Sequence, residues 1–278
     1  MRLALTLTLL LGIPVQAGLR IQSTAVAMVT DAQGECRLGE GSTPVAITSE
    51  VGAGVPLRLK AGARLTLLVY GSGEEVRLAG PGTFSLDGKG LVSGPPAGIG
   101  RAQGPGLSLK DSLKPGGLAQ ASLVMRGPFD IEVEEPSQPT VRTVRPRFRW
   151  VPVKGSTSYQ FRLRKAGGDT LVAVTTQEPA LSLPEGLELQ PGSKYQWDLS
   201  TDLPGLRVLR SEGDLEALDE ARGQFLDRLR EAAPNSFSHR LVYAATLHVY
   251  GLLAEAKVEW RILASQRPED AMLQAFAR

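Results

Sequence analysis

The sequence predicts a multidomain, mainly β protein: two small all-β units followed by an α-helical region at the C-terminus. Three observations predict this fold class. Short apolar runs separated by glycines fill residues 18–91, aromatic residues alternate with polar ones after residue 147, and apolar residues take a helical spacing within residues 212–278. A chain of 278 residues is long enough for two or three domains.

Residues 1–17 have the features of a secretory signal peptide. Arg2 gives a positive start, residues 3–13 are apolar and uncharged, and Val15 and Ala17 supply small residues before a cut ahead of Gly18. The apolar run is too short to cross about 30 Å of hydrocarbon as a helix. We therefore expect a periplasmic or secreted protein without a transmembrane segment after cleavage; an uncleaved anchor is the alternative.

The charge balance gives no preference for polyanions. The chain has 31 Lys and Arg against 29 Asp and Glu, and removing Arg2 leaves 30 against 29. A neutral balance creates no long-range field, so nucleic acid is not an expected partner. Cys36 is the only cysteine, which excludes an intrachain disulfide. We expect it to be a buried, small apolar side chain.

Residues 18–91 predict the first β unit. Six short apolar runs lie at residues 25–29, 44–47, 55–59, 65–70, 76–78 and 83–86. Glycines separate them at the spacing of strands and turns in a sandwich or roll. No helical period is present, so the unit is expected to be all-β.

The first unit resembles the FecR-like periplasmic domain of bacterial envelope proteins. The resemblance rests on AVAMVTD at residues 25–31 and GVPLRLKAGARLTLLVYGSGEEVRLAGPGTFSL at residues 54–86. It implies strand, tight turn and strand in a β roll or sandwich, and a context of envelope sensing or signalling. FecR proteins that control sigma factors carry a cytoplasmic segment and a membrane span. This chain has neither, so we do not expect direct sigma-factor regulation once the signal peptide is cleaved.

Residues 92–127 predict a Gly/Pro-rich linker and a closing strand. Between Ser93 and Gly117, 11 of 25 residues are Gly or Pro. Such a run buries too little apolar surface to offset the entropy cost of ordering, which indicates a linker or a long extended loop. Residues 119–126 then indicate a strand that returns to the first unit.

Residues 128–211 predict the second β unit. Phe148 and Trp150 alternate with arginines, and Tyr159, Phe161 and Leu163 alternate with polar residues in the same way. Each strand therefore presents one apolar face.

This second unit resembles a fibronectin type III-like sandwich. The stretch LQPGSKY at residues 189–195 looks like a tyrosine corner, which implies that Tyr195 hydrogen-bonds to the backbone of the preceding loop. Trp150 would fill the core between the sheets, and Trp197 would also be a packing residue. A ligand-stacking role for Trp150 or Trp197 is the alternative.

Residues 212–278 predict four helices. Leu215, Leu218, Phe225 and Leu229 form one apolar face of the first helix. A second helix is expected over residues 237–250, a third over residues 253–266, and a short fourth from Pro268.

The middle pair of helices resembles a tetratricopeptide hairpin. The stretch LLAEAKVEWRILASQRP at residues 252–268 carries the resemblance, together with Ala244 in the preceding helix. It implies that Ala244, Ala256 and Trp260 are structural packing residues. Only one such repeat is present, so the alternative is a four-helix appendage on the sandwich. We expect the helices to have a core separate from those of the β units.

Residues that carry chemistry are scarce. His239 and His248 are nine residues apart, about 900° around a helix, so they lie on nearly opposite faces and cannot share a metal. The neighbours Glu74 and Glu75 are poorly placed as a glycosidase pair and indicate a solvated hairpin turn. No motif for a nucleophile, a phosphate loop or a metal is present. We expect no cofactor and no enzymatic activity.

Arg147, Arg149, Arg162 and Arg164 are the candidate binding residues. One basic patch would suit an anionic glycan or lipid head group. In a fibronectin-like topology, however, the two arginine pairs belong to opposite sheets, which favours dispersed, solvated charges.

The sequence therefore predicts a non-enzymatic, exported envelope protein that binds a protein or a cell-wall polymer. Envelope sensing, signalling or scaffolding is the expected role. The alternative is a peptidoglycan- or polysaccharide-binding structural or adhesion protein without a signalling role, which would need exposed aromatic residues on one sheet face.

Overall fold

The computed structural model describes residues 25–41, 44–102, 131–203, 208–232 and 236–278. The described part of the chain is mainly β, with 39% of its residues in strands and 23% in helices. Four sheets precede four helices along the described chain. No helix in these ranges is long and apolar enough to cross a membrane. The predicted signal peptide and the predicted closing strand at residues 119–126 lie outside the described residues.

Two antiparallel sheets make up the first unit. Its strands are β1 Ala25–Gln33, β2 Cys36–Leu38, β3 Glu50–Gly52, β4 Leu57–Leu59, β5 Arg64–Val69, β6 Glu75–Ala79, β7 Gly82–Leu86, β8 Val92–Ser93 and β9 Ile99–Ala102. The first sheet has the order β3-β1-β5-β6-β9 and the second the order β2-β4-β7-β8. Their facing side chains form one core, which includes Leu57, Leu67 and Phe84.

Strand β5 shows how the period-two pattern divides the two faces of the first sheet. Leu65, Leu67 and Val69 point into the core between the sheets. Leu68 points to the other face, where it lies opposite Met28 of β1. Cys36 is buried, as expected, and burial raises the pKa of its thiol.

Two predictions for this unit are wrong. Residues 44–47 form no strand: Pro44 makes an isolated bridge to Arg37, and a turn at residues 47–48 follows, in which Thr48 takes a left-handed backbone with φ of 67°. Residues 92–102, predicted as part of the linker, form β8, a 3₁₀ turn at Pro96–Gly98 and β9. Strand β9 is held by its pairing with β6, a non-local contact that its glycines do not reveal.

The second unit is a two-sheet sandwich. Its strands are β10 Val133–Glu135, β11 Thr140–Val141, β12 Arg147–Trp150, β13 Tyr159–Lys165, β14 Thr170–Thr176, β15 Ala180–Ser182, β16 Lys194–Thr201 and β17 Leu209–Ala217. One sheet has the order β10-β12-β15, and the other β11-β17-β16-β13-β14. The hydroxyl oxygen of Tyr195 accepts a hydrogen bond from the backbone N–H of Gln190 at 2.7 Å, which is the geometry of a tyrosine corner.

Strand β17 corrects the start of the first predicted helix. Leu215 lies in this strand, opposite Tyr195, and its side chain is buried in the sandwich core. The first helix begins at Glu220, after Asp219 has accepted a hydrogen bond from the backbone N–H of Arg222. Only two residues separate β17 from α1. The spacing of Leu215 and Leu218 therefore coincides with a helical period, although neither residue lies in the helix.

The four helices are α1 Glu220–Ala232, α2 Phe237–Val249, α3 Leu253–Gln266 and α4 Ala271–Ala277. Ser236 caps α2 by accepting a hydrogen bond from the backbone N–H of His239. The fourth helix begins after Asp270, which caps it, and not at the predicted Pro268. Ala244, Ala256 and Trp260 are fully buried.

The helices and the first sheet share one hydrophobic core. Met28, Leu68 and Tyr70 of the first unit belong to the same buried cluster as Trp260. Helix α2 lies against β1, and the Ser238 hydroxyl donates a buried hydrogen bond of 3.0 Å to that of Thr30. The expectation of a separate helical core is therefore wrong. The helices cover the outer face of the first sheet, although the chain reaches them only after the sandwich.

The helices also hold the sandwich. The Arg142 guanidinium makes ion pairs with Asp227 of α1 at 3.3 Å and with Glu255 of α3 at 3.0 Å. The turn between α2 and α3 approaches so closely that a Cβ on Gly251 would lie 2.7 Å from the Thr140 hydroxyl oxygen. The helical region thus contacts both β units.

Candidate ligand-binding groove

A groove of about 660 Å³ lies where the first sheet meets the start of α2. Its floor is the part of the outer sheet face that the helices leave uncovered, at the ends of β1, β5 and β6. One wall is the first turn of α2 with Phe237, and the other is the 3₁₀ turn before β9. Clefts between structural units are common ligand sites.

Polar side chains form the floor because the outer sheet face changes character along its length. At one end Leu68 packs under the helices. Two and four residues earlier on the same face, Thr66 and Arg64 line the groove. On the adjacent strand, Arg77 and Ala79 extend the same polar and small surface. On the outer face of the first sheet, one part therefore packs against the helices, and the other part is polar and lines the groove.

Glu75 carries a buried negative charge beneath this surface. The residue is 4% exposed, and its Oε1 accepts a hydrogen bond of 2.8 Å from Nε of Arg77 and lies 2.8 Å from an Nη of the same guanidinium. The prediction of a solvated hairpin turn is wrong for Glu75, because pairing with Leu68 on one side and Ala102 on the other buries this strand position.

The other charges of the groove include Arg64, a cation with no ion-pair partner among the described residues. Asp31 pairs with Arg267 at 2.9 Å, and the guanidinium of Arg267 lies 4.9 Å from the centre of the Phe237 ring. Arg64 makes no ion pair with any residue that the structure describes. A guanidinium without a partner at the groove is suited to a carboxylate or another anionic group.

The described lining of the groove offers charged and polar groups that could contact a ligand. Glu75 is neutralised by Arg77, and neither histidine lines the groove. Among the described residues, no group of three or more His, Cys, Asp and Glu side chains could hold a metal ion.

The four predicted binding arginines do not come together. Arg147 and Arg149 lie on β12 in the three-stranded sheet, and Arg162 and Arg164 lie on β13 in the five-stranded sheet. Arg149 pairs with Glu134 and Glu135, and Arg162 pairs with Asp198 at 3.2 Å. Arg149 and Arg162 are thus compensated by neighbouring acids, and the four arginines do not form one patch.

The three tryptophans are packing residues. Trp150 is 1% exposed and meets the Tyr159 ring edge-on at 5.2 Å. Trp197 is 9% exposed and covers Gly213 on the next strand, where a Cβ would lie 2.6 Å from the indole. Trp260 is fully buried. None of them is available on the surface to stack on a ligand.

His248 gives the stability a predictable dependence on pH. Burial lowers its pKa, its Nε2 is buried without a hydrogen-bond partner among the described residues, and its ring meets Phe276 edge-on at 5.2 Å. The unfolded chain therefore binds the proton more tightly. The stability that this group contributes is fully present above the unfolded pKa of about 6.5 and is lost as the pH falls below it.

We expect the Tm of the wild type to fall more than that of His248→Gln between about pH 7 and pH 5, as measured by calorimetry. Parallel curves of Tm against pH for the two proteins would contradict this.

Sequence reasoning missed the groove because its residues come from distant parts of the chain. Asp31 and Arg267 are 236 positions apart. The alternation of Arg64, Thr66 and Leu68 on one strand face was a signal that part of the outer sheet face is polar. Nothing local indicated that helix α2 would begin at this part of the first sheet.

Comparisons with known proteins give only weak similarities. No family model matches the sequence, and no curated protein matches it significantly. Among solved structures, the fn3 domain of human contactin 1 matches with 18% identity over 36% of this chain and 92% of that chain, at a TM-score of 0.21. A β-1,2-glucanase from Parabacteroides distasonis has 9% identity over 87% of this chain and 48% of its own, at a TM-score of 0.23.

The FN1–FN3 domains of chicken CNTN1 match with 14% identity over 69% of this chain and 57% of theirs, at a TM-score of 0.20. The chain thus spans about half the length of the glucanase and of the chicken protein. At such TM-scores these similarities carry no argument about function. The fibronectin type III-like character of the sandwich rests on its own two sheets and tyrosine corner. The FecR-like and tetratricopeptide-like resemblances stay predictions from the sequence.

Proposed function

We propose that this protein is an exported, non-enzymatic FecR-like envelope protein that binds a protein segment or a cell-wall polymer in the groove between the first sheet and α2. The observation that carries the proposal is the polar floor of the groove, which lies on the same sheet face as the apolar residues that pack under the helices. A surface that only had to bury the helices would be apolar throughout. Arg64 and the neutralised Glu75–Arg77 pair supply the polar contacts that fix a ligand's orientation.

The groove favours an extended ligand with at least one anionic group. Arg64 is the cation without an ion-pair partner among the described residues, so a carboxylate of the ligand can pair with it without displacing an existing partner. Phe237 at the rim offers an apolar contact whose position is fixed by Arg267. An acidic peptide segment, either of a protein or of a peptidoglycan stem, can be extended and carries an anionic group. The role would then be envelope sensing, signalling or scaffolding.

Filling the groove should weaken this binding. Ala79 is exposed at the end of β6 and lines the groove, so Ala79→Trp places an indole over the floor. Ala271→Trp makes the same change at an exposed position outside the groove and is the matched control. We expect Ala79→Trp, but not Ala271→Trp, to weaken binding at least about tenfold, the size of a lost well-buried contact.

The measurement has two arms, which separate the two ligand classes. One arm is a pull-down from envelope extracts, and the other is co-sedimentation with insoluble peptidoglycan. A protein recovered by the wild type and lost by Ala79→Trp supports protein binding, whereas groove-dependent sedimentation supports cell-wall binding. Recovery of neither ligand, or equal recovery by both variants, would refute the proposal.

A further inference from the structure

Strand β14 is an unusually long edge strand, with no strand on its outer side among the residues that the structure describes. It ends the five-stranded sheet of the sandwich and has seven residues, Thr170–Thr176. The other seven terminal strands of the four described sheets have only two to four residues. The strand contains no charged residue and no proline, the devices by which proteins usually block edge pairing. One irregularity at Leu171 leaves Val172–Thr176 regular.

The backbone groups of β14 divide between its two sides. On the neighbouring strand, Ala166 N–H donates to Lys194 on the β16 side, and Lys165 N–H donates to Asp169 on the β14 side. Since these directions alternate, β13 uses the backbone groups of Val172, Val174 and Thr176. Those of Ala173 and Thr175 therefore point to the open edge.

The side chains near this edge match a second, antiparallel copy of the same strand. An alignment centred on Ala173 overlaps all seven residues, and it places only uncharged residues opposite each other. Arg164 lies beside Thr170 at one end, and Glu178 follows the other end. Antiparallel pairing brings the acidic end of one strand to the basic end of the other, whereas parallel pairing would bring Glu178 next to its own copy.

We infer that this edge is a homodimer interface, in which β14 pairs with β14 of a second molecule around a two-fold axis at Ala173. The contact is isologous and uses the long edge of both molecules, so it closes at a dimer and does not continue into a fibre. The interface consists of one strand pair and the exposed Leu171 side chain, so it buries little surface area. We therefore expect a weak dimer whose formation depends on protein concentration. Two grooves would then act together on a ligand with repeated sites.

Sedimentation equilibrium over a range of concentrations tests the interface with residues 18–278. Ala173→Lys places two ammonium groups opposite each other at the axis. Gln160→Lys adds the same charge to an exposed position on β13, one strand away from the edge. We expect the wild type and Gln160→Lys to form a dimer, and Ala173→Lys to raise its dissociation constant at least about tenfold.

A cysteine pair tests the register. In the proposed alignment the two copies of residue 173 lie about 5.5 Å apart between Cα atoms, which is within disulfide reach. Under mild oxidation Ala173→Cys should form a covalent dimer, whereas Gln160→Cys should not, and the wild type with its buried Cys36 gives the background. A wild type that stays monomeric, larger open-ended oligomers, a dimer unchanged by Ala173→Lys, or equal cross-linking of both cysteine variants would each overturn the inference. None of these outcomes depends on whether the groove binds a ligand.

Discussion

Replacing Trp260 with alanine is expected to lower the free energy of unfolding by about 3–5 kcal/mol, the cost of deleting a fully buried aromatic side chain. Its ring is 0% exposed and stacks on Phe276 with 4.7 Å between the ring centres. The cavity would open in the cluster that the helices share with Met28 and Leu68. The substitution should therefore loosen the helices from the first sheet as well as from each other.

Chemical denaturation followed by circular dichroism at helix and strand wavelengths measures this effect. Val258→Ala is the matched control, because Val258 lies on the same helix and is 54% exposed. We expect the control to change the free energy of unfolding by less than about 0.5 kcal/mol. A stable Trp260→Ala variant would contradict the packing. A loss confined to the helical signal, with the first unit unaffected, would contradict the shared core.

Gly251→Ala is expected to destabilise the contact between the helices and the sandwich by about 2–4 kcal/mol. Two costs combine: alanine is strained at a φ of 77°, and its Cβ would meet the Thr140 hydroxyl oxygen at 2.7 Å and the Pro139 ring at 3.3 Å. Gly186→Ala separates these costs, because Gly186 has a φ of 81° but nothing within 4 Å of its Cβ position. It should lose only about 1 kcal/mol.

A rescue variant makes this prediction specific to the contact. Thr140→Ala removes the clashing hydroxyl, so the double variant should recover part of the loss relative to Thr140→Ala alone, as a double-mutant cycle of thermal unfolding would show. Limited proteolysis should cut Gly251→Ala faster between the sandwich and the helices than it cuts Gly186→Ala. Equal effects at the two glycines would mean that the helices and the sandwich are not in close contact.

The sequence predicts best those elements whose signals are local. The bounds of α3 agree with the helix predicted at residues 253–266, because Gly251 and Pro268 limit an uninterrupted run of strong helix formers. The alternation around Trp150 and Tyr159 likewise predicted the buried faces of their strands, and both residues lie in the sandwich core. In both cases the local residue pattern and the tertiary environment favour the same secondary structure.

Elements that depend on distant partners were not predictable. Strand β9 has two glycines in or next to it, and its pairing with the distant strand β6 holds it in the sheet. Glu75 reads as a turn residue, yet neighbours on both sides bury it. The groove has the same origin. Its floor and its wall at Phe237 are at least 158 positions apart in the sequence, the separation of Ala79 from Phe237, and no local pattern indicates that they meet.

The cover that the helices form over the first sheet has a consequence for the order of folding. Thr30 and its hydrogen-bond partner Ser238 are separated by 208 positions. A chain made or exported from its N-terminus must therefore hold Met28, Leu68 and Tyr70 exposed until nearly all of it has emerged. Contacts of such sequence separation slow folding, since a large loop must close before they form. The first unit would complete its fold only after the C-terminal helices pack on it. Until then, its uncovered apolar face would be a binding surface for a chaperone.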